Sequence, residues 1–181
     1  AVEVTVSRTS GAEAIELLVR RNLTDSEDIA FEEQPSSSLP EGTTAWVGKT
    51  LVPEVEGEHM TVGIITSRIP SEGVVLELPA NATSGVKTWR FVTAVHSDVE
   101  GPAVQPLEAA ISSFESAMAM GSGLYFTHAE AWEAEMWRWR GIEVGAETEE
   151  SLELARVVNA SMYYIMSSLR ADHPWGLSPG G

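Results

Sequence analysis

The chain has 181 residues, of which 43% are hydrophobic and 21% charged, a globular balance that excludes wholesale disorder. It carries 11 basic against 27 acidic residues, a formal net charge of −16 spread over both halves, so neither nucleic acid nor an anionic membrane surface is an expected partner. There is no cysteine, which excludes disulfides, zinc–thiolate sites and cysteine nucleophiles.

No apolar run reaches the roughly 20 residues a helix needs to span a bilayer. Three N-glycosylation sequons, at Asn22, Asn81 and Asn159, are compatible with a secretory route, but no signal peptide is visible and the compartment stays open. The chain begins at Ala1 inside the alternating run Val2, Val4, Val6. It stops at Gly180-Gly181 straight after a Pro-Gly turn signal, and it reads as a fragment.

Residues 1–98 read as strands and turns. Val2–Val6 alternates with period two, and Ile15–Arg21 is taken as a strand because it is short and runs into a turn-like segment. Gln34–Gly42 is a Pro/Ser/Gly loop. Ala45–Val52, Met60–Ser67, Val74–Leu78 and Val86–His96 are β-branched runs separated by Gly/Pro turns, the pattern of an antiparallel sheet or sandwich.

The second half changes character. Pro106–Met120 is rich in Ala, Ser and Met and reads as a helix ended by Gly121-Ser122-Gly123. Leu124–Arg140 is a second helix. Glu147–Arg170 is a third, opened by acidic residues that suit a helix N-terminus and stopped before Pro174. Strands followed by helices predict an α+β fold or two domains.

Gly176-Leu177-Ser178-Pro179-Gly180 has the G-x-S-x-G form of a nucleophile elbow. Pro179 has no N–H to serve as oxyanion donor, and the segment follows a helix rather than a strand, so the match is rejected. His59, His96, His128 and His173 form no local metal-binding spacing, and no metal or cofactor is expected. His128 and Trp132 are four apart and Trp132 and Trp139 seven apart, so they share a helix face. With Trp137 they read as aromatic anchors of a packed interface, the alternative being a sugar-stacking platform. Glu130, Glu133, Glu135 and Glu143 read as a solvated acidic face, since nothing singles out a catalytic pair. The loop from Ala171 to Gly181, with its prolines, glycines and Trp175, is the segment best suited to lining a ligand site.

His128, Trp132, Trp137, Ile142-Glu143-Val144, the run Met162–Arg170 and Trp175–Gly181, in that order, resemble glycoside hydrolase family 65, nearest to its acid trehalases and protein-glucosylgalactosylhydroxylysine glucosidases. The resemblance is carried mainly by Trp89–Gly181. It implies part of an N-terminal β-sandwich over residues 1–103, a helical linker over 104–145 and the first helix of an (α/α)6 barrel over 146–181. It implies inverting cleavage of an α-glucoside, with the general acid outside this chain and the piece inactive alone. Trp175, Ser178, Gly180 and Gly181 lie next to the family's sugar-binding motif in sequence and are the substrate-proximal candidates. The competing reading is a self-contained β-sandwich module that binds carbohydrate or protein.

Overall fold

The computed structural model describes residues 1–8, 13–20, 27–52, 59–80, 85–98, 105–138 and 147–167, with 135–138 and 166–167 described by backbone only. Among the described residues eight strands precede three helices: β1 Val2–Ser7, β2 Ile15–Val19, β3 Ile29–Glu33, β4 Thr43–Thr50, β5 Thr61–Ser67, β6 Val74–Leu78, β7 Val86–Phe91, β8 Thr93–Ser97, α1 Pro106–Met120, α2 Gly123–Arg138 and α3 Glu149–Ser167. The mixed α and β content and the strands-then-helices order agree with the sequence reading. The chain divides into two compact units, Ala1–Ala119 and Met120–Gly181. The expected domain limits at 103/104 and 145/146 lie outside the described residues. No helix among the described residues is long and apolar enough to cross a membrane.

Every strand pair is antiparallel. β3, β4, β5 and β8 form a four-stranded sheet in that order, β1 pairs with β7, and β2 pairs with β6. The expected single run Val86–His96 is interrupted at Val92, so that β7 joins β1 while β8 joins β5. A strand that bends to serve two sheets makes such a corner. The bend is held by Ser67, whose N–H donates to the Val92 carbonyl (2.9 Å) and whose Oγ accepts from the Val92 N–H (3.0 Å). The Val92 side chain, 3% exposed, turns into the core.

α1 lies on the four-stranded sheet. Leu107, Ala110, Ile111, Phe114 and Ala117 recur at helical spacing and pack with Ala45, Ile65 and Val92. Pro106 at the first helical position and Glu108 in the first turn suit the N-terminus. Gly121, at φ 59°, supplies the left-handed residue that ends the helix. The helix reaches the sheet where β5 carries Gly63: a Cβ there would lie 2.4 Å from the Leu107 nitrogen and the Pro106 carbonyl carbon. On the adjoining strands Phe31 covers Gly48, its cross-strand partner, so closely that a Cβ on Gly48 would come 2.4 Å from the ring.

β3 is the element the sequence does not announce, because Ile29-Ala30-Phe31-Glu32-Glu33 shows neither clean alternation nor a β-branched run. Its place at the sheet edge comes from pairing with β4 and from the Phe31–Gly48 fit. Arg8 is a second feature unmarked in sequence. Its guanidinium donates to the carbonyls of Glu13 (2.9 Å), Pro79 (2.8 Å) and Ala80 (3.1 Å), and its own N–H donates to the Gly85 carbonyl (2.7 Å). One side chain thereby ties the end of β1 to the chain flanking β2, β6 and β7.

In the second unit the buried side chain among the described residues is that of Ala155, 2% exposed. α3 begins at a Thr148 cap, whose Oγ accepts from the Ser151 N–H (3.2 Å). Val158, Met162 and Tyr163 are half-buried on the same side as Ala155. Leu154, Val157 and Tyr164 on the other side are more than half exposed.

Gly63→Ala is expected to destabilise the first unit by about 2–3 kcal/mol in urea denaturation, since backbone rather than a flexible side chain must yield. Gly123→Ala, with nothing within 4 Å of the new methyl, is expected to be neutral or slightly stabilising. Equal effects of the two would refute the close seat of α1. In hydrogen exchange on the intact chain, amides of α3 are expected to exchange at least ~100-fold faster than those of β4 and β5, because among the described residues of the second unit only Ala155 is fully buried. Uniform protection would contradict this.

Candidate functional site

The chemically distinctive residues of the second unit meet where α2 faces α3. His128 and Trp132, one turn apart on α2, both contact Tyr163 of α3. The Trp132 and Tyr163 rings stand edge to face, with centroids 4.9 Å apart and planes at 72°. The His128 ring meets Tyr163 at 5.9 Å and 87°. His128 Nε2 and the Tyr163 hydroxyl are 2.9 Å apart, so a neutral imidazole accepts the phenol proton and an imidazolium donates to the phenol oxygen. Tyr164 extends the row, edge to face with Tyr163 at 5.9 Å and 68% exposed.

Edge-to-face geometry places the positive rim of one ring against the negative face of the next, and each such pair adds about 0.5–1.5 kcal/mol beyond area burial. Tyr163 makes two of these contacts and the hydrogen bond, so it is the keystone of the cluster. Sequence spacing identifies the α2 half of this arrangement. It does not identify Tyr163 as the partner, because pairing between helices has no fixed sequence offset.

The other named residues fall apart in space or outside view. Trp139, Trp175, Ser178, Gly180 and Gly181 lie outside the described residues, as do Glu143, His173 and the side chains of Glu135 and Trp137. Glu130 and Glu133 are exposed on α2. In the first unit, His59 Nδ1 lies 2.6 Å from the Thr50 carbonyl and His96 Nε2 lies 2.8 Å from Ser113 Oγ. The Asp98 carboxylate accepts from the Thr61 N–H at 3.0 Å through both oxygens. Each of these contacts ties neighbouring elements of the sheet and α1. Among the described residues no group of three or more histidine, aspartate or glutamate side chains could hold a metal ion.

What the α2–α3 cluster can do chemically is limited to packing and weak recognition. It presents one imidazole, the phenol hydroxyls of Tyr163 and Tyr164 and exposed aromatic surface. The imidazole is engaged by the Tyr163 hydroxyl, and Glu130 and Glu133 on α2 are exposed.

Tyr163→Phe keeps the ring and removes the hydroxyl, so a loss of about 1 kcal/mol is expected. Trp132→Ala is expected to cost about 2–3 kcal/mol, because a half-buried indole and its ring contact go together. Both are measured by chemical denaturation followed through α-helical circular dichroism. An unchanged midpoint for Trp132→Ala would show that the cluster does not hold the helices.

The chain is 31% identical over 163 residues to the protein-glucosylgalactosylhydroxylysine glucosidase of Gallus gallus, which covers 86% of this chain and 20% of that protein. It is 30% identical over 131 residues to the protein of the same name from Dictyostelium discoideum, covering 72% of this chain and 16% of that one. The chain thus spans a fifth or less of the length of the curated relatives it matches. No family model matches it, and no solved structure matches it. The likeness is to glucosidases, at the level of glycoside hydrolases.

Proposed function

We propose that this chain is the N-terminal part of an inverting α-glucoside hydrolase of glycoside hydrolase family 65. The observation that carries the reading is the identity of about 30% along most of the chain to two glucosidases from distant organisms. In this reading residues 1–103 belong to a β-sandwich, 104–145 to a linker and 146–181 to the start of an (α/α)6 barrel. The distribution of apolar residues on α3 supports it. A helix with Ala155 and Met162 on one side and Leu154, Val157 and Tyr164 on the other has apolar surface on two faces, the pattern of a helix covered on both.

The chemistry is that of two carboxyl groups on opposite sides of a sugar. One protonates the leaving oxygen while the other activates water on the far face of the ring, and neither metal nor organic cofactor is required. The proposed general acid lies outside this chain, and residues 1–181 alone are inactive. His128, Trp132, Trp137 and Trp139 act as aromatic anchors, and Trp175, Ser178, Gly180 and Gly181 lie close to the substrate. The names of the relatives favour a glucosyl-galactosyl-hydroxylysine unit over trehalose as substrate.

The test is glucose release by the longer protein this reading requires, offered α-glucosyl-galactosyl-hydroxylysine and trehalose, with the product anomer followed by proton NMR. The expected first product is β-glucose, and the 181-residue chain alone releases none. No release from either substrate by the longer protein would overturn the enzyme reading in favour of a binding module. Release by the 181 residues alone would overturn the assignment of the acid to another part of the protein.

A further inference from the structure

The segment between β3 and β4 builds a cleft of about 410 Å³ at one end of the four-stranded sheet. This lies within the span of small-molecule sites, ~300–1,000 Å³. Its polar lining comes from Glu33, Gln34, Ser36, Thr44 and Arg68, and its apolar lining includes Leu39, which also packs against the core.

The walls are fixed by backbone. Gln34 N–H donates to the Ala45 carbonyl (2.9 Å), closing the base of the loop, and Arg68 N–H donates to the Gly42 carbonyl (2.8 Å), tying the loop to the exit of β5. Ser38 donates to the Pro35 carbonyl from its N–H (3.1 Å) and from its hydroxyl (2.9 Å), and Thr43 Oγ donates to the Pro40 carbonyl (2.6 Å). Gly42, at φ 73°, makes the turn that brings the loop back into β4. A loop held at so many points loses little freedom when a ligand enters.

The polar groups of the lining face solvent and are open to a ligand. Among the described residues the Arg68 guanidinium, the Glu33 carboxylate and the hydroxyls of Ser36 and Thr44 have no side-chain hydrogen bond or ion pair. Gln34 spends one amide hydrogen on the Glu32 carbonyl (3.2 Å), leaving its carbonyl oxygen to accept. The lining thus offers one donor-only cation, one acceptor-only anion and several groups of mixed character. A phosphate or carboxylate ligand would meet Glu33 and a chain of net charge −16. A lone cation would meet Arg68. A neutral polyol meets no like charge, and a hydroxyl can donate to the carboxylate or accept from the guanidinium.

We infer that this cleft is a binding site for a neutral mono- or disaccharide, an inference independent of whether the chain belongs to a hydrolase. Glu33 and Arg68 bind ring hydroxyls, Gln34, Ser36 and Thr44 supply further polar contacts, and Leu39 meets an apolar C–H face of the sugar.

The test is amide NMR on the isotope-labelled 181-residue chain, titrated separately with glucose, galactose, maltose and trehalose, and with inorganic phosphate and free lysine as charged probes. The expected result is saturable shifts, with millimolar affinity for at least one sugar, confined to residues 33–44 and 68. Arg68→Ala and Glu33→Gln should each weaken binding ~10-fold, the loss of one charge-assisted hydrogen bond. Both positions are exposed, so an unchanged thermal midpoint separates lost binding from lost folding. No saturable shift with any of the four sugars overturns the proposal. So does saturable binding of phosphate or lysine alone, or sugar binding that neither substitution weakens.

Discussion

The first unit depends on how closely a helix can approach a sheet. α1 presents Leu107, Ala110, Ile111, Phe114 and Ala117 to β4 and β5, and apolar contacts of this kind lose energy steeply when a gap opens by even half an ångström. Gly63 removes the side chain that would hold the helix off. Opposite it, Val47 is its cross-strand partner, and the next inward pair is Ala45 with Ile65. Small residues on the inward face of these central strands thus make room for Ile65 and Phe114 to meet. The two small residues do different work: Gly63 admits the helix backbone, while Ala45 fills the space left beside Ile65.

The same sheet fixes the route of the rest of the chain. Because Ser67 holds both backbone groups of Val92, the long run from Val86 is bent at a single residue and delivered to two sheets. At the opposite end of β7, three carbonyls from two loops, Glu13 in one and Pro79 and Ala80 in the other, converge on the Arg8 guanidinium. Backbone carbonyls near an edge need partners when water is displaced, and a planar fork of donors satisfies several at once. The salt bridge between Arg90 on β7 and Glu3 on β1, at 2.6 Å, adds a cross-strand link at the Val92 end of the pair. It is partly exposed and contributes little beyond fixing register.

What could be read from the sequence follows from what is local. Strand periodicity, the proline at the start of α1 and the glycines after it act within a few residues, so β1, β2, β4, β5, β6 and all three helices are legible to within a few positions. The break at Val92 is not, because Val-Thr-Ala-Val continues a strand pattern and the cause of the bend is Ser67, far away in sequence. β3 is missed for a related reason: its fit depends on Gly48 accepting the Phe31 ring. In the second unit the His128–Trp132 spacing is visible, while Tyr163 emerges only from the packing of two helices. The cleft beside Arg68 was legible as a Pro/Ser/Gly loop, but its polar lining is assembled from three strand ends.

The two units differ in how much of their own surface they bury, and that difference bears on function. The first has a core of aliphatic and aromatic side chains gathered from β4, β5, β8, the Val92 bend, Leu39 and α1. Among its described residues the second buries Ala155, and Tyr164 and Phe126 are about two-thirds exposed. The other apolar contacts described there come from half-buried side chains such as Trp132, Val158, Met162 and Tyr163, while each ordered residue costs about 1–2 kcal/mol of backbone entropy. Helices that nevertheless carry a capped start and a regular apolar stripe are suited to a larger helical layer that covers their second face. Glu130 and Glu133 are exposed on α2, which also leaves Tyr125 and Phe126 open. A binding module complete in itself would place its apolar residues on one face of α3. Leu154, Val157 and Tyr164 lie on the other, and this distribution supports the proposed reading, in which α3 belongs to a larger helical layer.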